Sequence, residues 1–371
     1  MNNLTTLIFY FSIIFIASFF AFKGIVGIEK DGINKIYIDK KMIFISFLIL
    51  WQLLAFSKCG TDYQSYNQAY LDALNLKHMI LDLGFEPGFA LFNFFLRCFN
   101  FNVIFYNIII SFLFLSLIYY SLYRMRKYIN FGFGIFVFSC MFLIQFQNLK
   151  RIYLASAICL LAISYLIENK NKIYSLLILL ASSFHFSAII MFFPIIIKKL
   201  SAERIEKKKF KRIVFIFITI LTSVVFLRYC NLVQFGKYER YLGEMDFNFG
   251  FAQILYHLPL FFILLKVNPK YKSLNVYEIF KLLVIESFLI GMTSYVFTII
   301  GRMSIYFIFP YIFLSRAVEF CDYRYINKSD GIKIFRIIIY IYILLRFLIY
   351  FAGYYSLDSI APYENIFGLK I

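Results

Sequence analysis

Lys150 and Arg151 open one apolar stretch of this chain, NLKRIYLASAICLLAISYLI, and His185 interrupts the next at Phe184-His185-Phe186-Ser187. A guanidinium holds oxyanions with a planar fork of donors. An imidazole trades a proton near neutral pH. At 1.5 Å per residue a helix from Arg151 to Ile167 rises about 25 Å, and one from Ile173 to His185 descends about 20 Å. A hairpin turning over Glu168 to Lys172 therefore returns His185, one of three histidines, to nearly the depth of Arg151. Ser187 is placed to orient the ring.

Each of these residues also has a plainer reading. An arginine at a helix end can snorkel to the interface, and Lys150 and Arg302 share that ambiguity. A histidine among aromatics can simply pack and hydrogen-bond. Asp62 follows Gly60-Thr61 and precedes Tyr63 and Tyr66. A carboxylate there suits hydrogen bonds to sugar hydroxyls or general-base work, or else marks a solvated loop. Glu86 precedes Pro87, which disfavours helix at Glu86 and predicts an irregular, exposed turn. That carboxylate fits a turn or a site.

These residues are carried by a membrane protein. The chain is 62% hydrophobic, with mean hydropathy +0.78, against roughly 45–50% apolar residues in soluble domains. Apolar runs of about 17–25 residues, the length that spans hydrocarbon as helix, recur between short charged turns. The expectation is one all-α, polytopic bundle over 1–371, with about 12 spans (11 to 13) and an outward-facing cavity. The segment from Leu4 to Phe22 has no basic leader and no cleavage site, and reads as the first span.

Net charge is +18. Its lysines and arginines lie in short loops, as the positive-inside rule requires, and no interleaved basic and aromatic surface suggests base stacking, so no nucleic-acid partner is expected. Basic loops at Arg124 to Lys127, Lys170 to Lys172, 198–212, Lys266 to Lys272 and Arg316 to Lys333 mark the cytoplasmic side. Residues 58–88 then form an extracytoplasmic loop. Phe89 to Phe99 is too short to cross and is expected to lie in the interface or re-enter. Asp62, Glu86, Arg151, His185, Arg302 and the Pro362-Tyr363 tail all fall on the outer side, although none was used to set the topology.

The six cysteines are scattered singly, and no second His or Cys stands at ligand spacing from His185, so no metal site is expected. P-loop, Rossmann and HExxH patterns are missing, and most of the aromatics, 30 tyrosines among them, are expected to face lipid or the interface, though an excess of tyrosine also suits a sugar-lined cavity.

In order along the chain, Gly60-x-Asp62-x3-Tyr66, Glu86-Pro87-Gly88-Phe89, Arg151-x3-Ala155, Phe184-His185-x-Ser187-Ala188, Arg302 and Pro362-Tyr363 resemble the EpsG family of bacterial polysaccharide polymerases, related to Wzy-type O-antigen polymerases. Arg151-Ile152 stands where the family is expected to have Arg-Gln. The resemblance implies a multi-pass enzyme of the bacterial inner membrane that joins undecaprenyl-diphosphate-linked repeat units into capsule, exopolysaccharide or O-antigen at the extracytoplasmic face. It implies Arg151 and Arg302 on the diphosphate, His185 or Asp62 as base, Glu86 positioning the acceptor, and Tyr66 and Tyr363 on the sugar, with no metal or other cofactor. The implied partners are the lipid-linked glycans, the bilayer, and a flippase and chain-length regulator of the same pathway. A lipid-linked glycan flippase or exporter, and a membrane acyltransferase with His185 as base, are the alternatives.

Overall fold

The computed structural model describes residues 3–30, 33–202, 251–272, 274–293, 301–323 and 327–371. The span expected near 211–229, the outer loop holding Lys237, Glu239, Arg240, Glu244 and Asp246, and most of the basic tract 198–212 lie outside the described residues. In chain order the elements are α1 (Asn3–Gly24), a hairpin of β1 (Ile25–Lys30) and β2 (Ile33–Ile38), α2 (Lys40–Ala55), α3 (Tyr63–Leu71), α4 (Pro87–Cys98), α5 (Val103–Arg124), α6 (Phe131–Phe138), α7 (Lys150–Ile167), α8 (Asn171–Phe184) and α9 (Phe193–Ala202). After the gap come α10 (Phe251–Lys266), α11 (Asn275–Thr293), α12 (Phe309–Ala317) and α13 (Lys328–Tyr354). Apart from the antiparallel hairpin, the described fold is helical.

Among the described residues five helical stretches are long and apolar enough to cross a bilayer: α1, α5, α7, Arg302–Phe320 and α13. Shorter apolar helices flank them, and their shortness has visible causes. The expected span at 131–147 leaves α-helical geometry after Phe138, widening into a π turn and then tightening into a 3-10 turn. The run 173–197 breaks where His185 turns extended, at φ −154° and ψ 116°. α4 rises only about 18 Å over its 12 residues, too little to cross. It buries Phe89, Ala90, Asn93 and Leu96 and exposes Leu91 and Phe95.

The centre of the bundle is α7, of whose spanning window 89% is buried, against 22% for α13. Ala155, Ser156, Ala157, Cys159 and Ala162 explain this, since small side chains let helices approach closely. At its far end Asn169, in the left-handed region at φ +61°, closes the turn into α8. Lys198 of α9 comes back to that turn, donating to Asn169 Oδ1 at 2.5 Å. Arg124 reaches Glu168 there at 2.8 Å, and Asn275 donates to the carbonyls of Leu166 and Ile167. Basic residues thus gather at one end of α7, and Arg151 stands at the other.

The loop from Ser57 to Asp62 is clamped on two sides. Lys58 N donates to Glu364 O at 2.8 Å and Gly60 N to Ser359 O at 3.1 Å, which ties the loop to the carboxyl-terminal tail. On the other side Thr61 N donates to Asn148 Oδ1 at 2.7 Å. Gly60 sits at φ +108°, and a Cβ there would come within 2.7 Å of both Gln147 O and Asn148 Oδ1. Only glycine fits between these backbones. Gly60→Ala should cost about 1–3 kcal/mol, read as a lower thermal midpoint of the purified protein in detergent; an unchanged midpoint would contradict the clamp.

Candidate functional site

α7 begins against the helix dipole. Lys150 and Arg151 occupy its first turn, where the positive end of the dipole disfavours cations, and no side chain caps it. Both charges must therefore be held from outside the helix.

Glu86 holds Arg151. At φ −65° and ψ 144° Glu86 is extended, as the following proline demands. Pro87, the first helical residue of α4, has no N–H to be capped, and the Glu86 carboxylate caps nothing in its own helix. It is free to reach elsewhere. One oxygen accepts from Arg151 Nη1 at 2.5 Å, the other from Phe186 N at 3.3 Å. The exposed turn expected at Glu86 is extended in backbone as predicted, yet its side chain is only 18% exposed. Gly88 permits this approach: a Cβ there would fall 2.7 Å from the Ser183 carbonyl oxygen, so α4 lies backbone to backbone against the end of α8. Phe85 and Phe89 cover the Arg151 guanidinium at 4.7 and 5.9 Å, Tyr66 adjoins it, and its Nε is buried without a partner.

His185 follows directly. It stands at the break between α8 and the 3-10 segment Phe186–Phe192, with Nδ1 2.7 Å from Ser187 Oγ and 3.4 Å from Tyr306 OH. Ser187 Oγ and Tyr306 OH are themselves 2.9 Å apart. Burial, helped by Arg151 and Arg302 and opposed by Glu86, lowers its pKa to about 4, so the ring is neutral near pH 7. If Nδ1 keeps its proton for Ser187, Nε2 is the proton acceptor.

Asp62 and Arg302 close the group. Burial raises the Asp62 carboxyl above its ordinary range, while Arg302 and then Arg151 pull it down and Asp358 adds to the rise. The same two arginines bear on His185. Arg302 is exposed and opens the 3-10 segment Arg302–Phe307.

Of the residues singled out in the sequence, Asp62, Glu86, Arg151, His185, Arg302 and Tyr66 come together. Tyr363 is placed apart from them. Its ring packs on Phe9 and Tyr10 at 4.8 and 5.8 Å, and its hydroxyl donates to Leu53 O at 3.4 Å. It pins the tail that carries the Asp62 loop.

Two further residues join the group, Lys150, whose role the sequence left ambiguous, and Tyr306, which sequence reasoning passed over. Lys150 is 4% exposed, donates to Asn107 Oδ1 at 2.5 Å, and faces the rings of Tyr63, Tyr66 and Tyr106 at 5.3 to 5.9 Å. Its adjacency to Arg151 at an uncapped helix start was the available signal. Tyr306 carried none, being one tyrosine in an apolar run.

The arrangement offers cations to hold an anion, a neutral imidazole to take a proton, and carboxylates to place a hydroxyl. A family model for the EpsG family matches residues 40–365. No curated protein and no solved structure matches the chain.

If the Glu86–Arg151 contact carries the site's geometry, a thermal-unfolding double-mutant cycle with Glu86→Gln and Arg151→Gln should show a coupling of about 1–3 kcal/mol. Additive single effects would mean the contact is incidental.

Proposed function

Because this chain belongs to the EpsG family of membrane polysaccharide polymerases, we propose that it joins undecaprenyl-diphosphate-linked oligosaccharide units into a surface polysaccharide at the extracytoplasmic face of the bacterial inner membrane. The observation that carries this reading is the junction of α4, α7 and α8, where Glu86 bonds both Arg151 and the backbone beside His185.

In the proposed step an acceptor sugar hydroxyl attacks the anomeric carbon of the donor. The bond from that carbon to the diphosphate oxygen breaks as the new glycosidic bond forms. The hydroxyl proton passes to His185 Nε2, and undecaprenyl diphosphate departs with the bonding electrons. Diphosphate is already a good leaving group, so the protein chiefly needs cations for the developing charge and a base for the nucleophile. Arg151 and Arg302 supply the cations, and the unpartnered Arg151 Nε is the donor left for a phosphate oxygen. Ser187 and Tyr306 hold the imidazole. Asp62 stands by as an alternative base, and Glu86, bound to Arg151, positions the acceptor. Tyr66 offers its ring beside the sugar.

The basic end of α7 agrees with a cytoplasmic side and leaves the Arg151 end for the outer face. Repeat units delivered across the membrane by a flippase meet the enzyme there, and a chain-length regulator would act on the same product.

Arg151→Ala and His185→Ala should each abolish polymer in a complementation gel while the protein stays inserted and abundant. Long chains from both variants would end this assignment. The pH profile is a separate check. In the free enzyme the acid limb from His185 should lie near pH 4 in kcat/KM; bound diphosphate offsets the two arginines, so the limb in kcat should move to higher pH. A limb at the ordinary histidine value of about 6.5 in both profiles would contradict the burial argument.

A further inference from the structure

A cavity borders the Arg302–Phe307 segment. Tyr306 turns its hydroxyl toward Ser187 and His185, while Ser304, Ile305 and Phe307 line a cavity of about 230 Å³ built around Arg346 of α13. That volume is below the roughly 300–1,000 Å³ of drug-sized sites. It suits one phosphate or one sugar ring, not a length of glycan.

Among the described residues Arg346 meets no carboxylate. Arg124, Arg151, Arg316 and Arg336 each meet a glutamate, whereas Arg346 Nη1 has only the phenol oxygens of Tyr311 and Tyr342, at 3.3 and 3.2 Å. Its guanidinium lies over the rings of Tyr256 and Tyr311 at 4.2 and 5.3 Å. Nε and Nη2 have no partner among the described residues. A cation inside a spanning helix, served by neutral groups alone and bordering open space, is a place for an anion to dock.

The mouth of the cavity says what kind. Two of its lining residues, Ile349 and Tyr354, are 53% and 51% exposed and continue the apolar outer face of α13 that carries Ile338, Ile341 and Leu345. The opening is therefore toward lipid. Arg346 lies 18 residues along α13, about 27 Å from its basic start, in the half of the membrane that holds the Arg151 end.

We propose that the cavity around Arg346 is a second anion subsite, which receives from the bilayer the phosphate group of the lipid-linked glycan not held at Arg151. The proposal rests on the polymerase reading, because joining two lipid-borne units requires two such headgroups at once. The planar fork of Arg346 would take phosphate oxygens in pairs, and the Arg302–Phe307 segment would keep this headgroup from the one at Arg151 while their sugars meet near His185.

The test uses the full-length protein in detergent micelles, undecaprenyl diphosphate as probe, undecaprenol as control, and native mass spectrometry to count bound lipid. The native chain should bind two diphosphate lipids. Arg346→Gln should bind one, with the second at least tenfold weaker, and Arg346→Lys should fall between. Ile349→Trp alters only a lipid-facing side chain at the mouth and should also lose the second lipid. Inorganic pyrophosphate should displace that lipid. Two lipids bound to both Arg346→Gln and Ile349→Trp, equal binding of undecaprenol, or displacement by glucuronate but not pyrophosphate would each overturn the proposal. Two lipids bound by a native protein that forms no polymer would remove the polymerase reading and leave the subsite; polymer formed with binding unchanged in the variants would do the reverse.

Discussion

The Glu86–Arg151 ion pair is the contact through which the rest of the site is assembled. Two cations at the start of a helix are electrostatically misplaced, and α7 has no cap of its own. A carboxylate from another helix answers one of them, and that carboxylate is available because it caps no amide of its own helix. Its second oxygen takes the Phe186 amide, exposed by the same break in helix that frees His185. One side chain thereby sets the distance between Arg151, the proposed diphosphate ligand, and His185, the proposed base.

Around that pair the protein separates two electrostatic ends. Arg124, Lys170 and Lys198 meet Glu168 and Asn169 at one end of α7, and the site residues meet at the other. Buried small residues between them keep the central helix tight, while α1 and α13 turn isoleucine, leucine and phenylalanine outward. The carboxyl-terminal tail acts at a distance. By pairing with Lys58 and Gly60 it fixes where Asp62 stands, although it carries no reacting group.

Much of this was legible in the sequence, for reasons that can be named. The Arg151–His185 hairpin followed from helical rise and the polar turn at 168–172, and its elements fall within two residues of expectation. The break at Phe184-His185-Phe186-Ser187 was readable because the apolar run was too long for a short helix and ended in basic residues. Membrane residence followed from hydropathy. Other features were hidden for equally physical reasons. The hairpin of β1 and β2 was simply passed over, although Asp31-Gly32 stands as a two-residue turn signal between two isoleucine-bearing runs. Lys150 looked like a snorkelling cation, because the caging rings of Tyr63, Tyr66 and Tyr106 come from two other helices. Tyr363 was grouped with Tyr66 as an expected sugar contact by its place in an ordered motif, but tertiary packing turned it inward. Arg346 gave no signal beyond being a charge inside a span, and only packing showed that no carboxylate among the described residues attends it.

The most direct measurement reconstitutes the purified full-length protein in liposomes with a lipid-linked repeat unit supplied on one face. Both the glycan length and the undecaprenyl diphosphate set free would be followed. The account predicts a ladder of joined units with one lipid diphosphate released per linkage, formed without nucleotide sugar. Transfer of single units across the bilayer with neither ladder nor released lipid would contradict it.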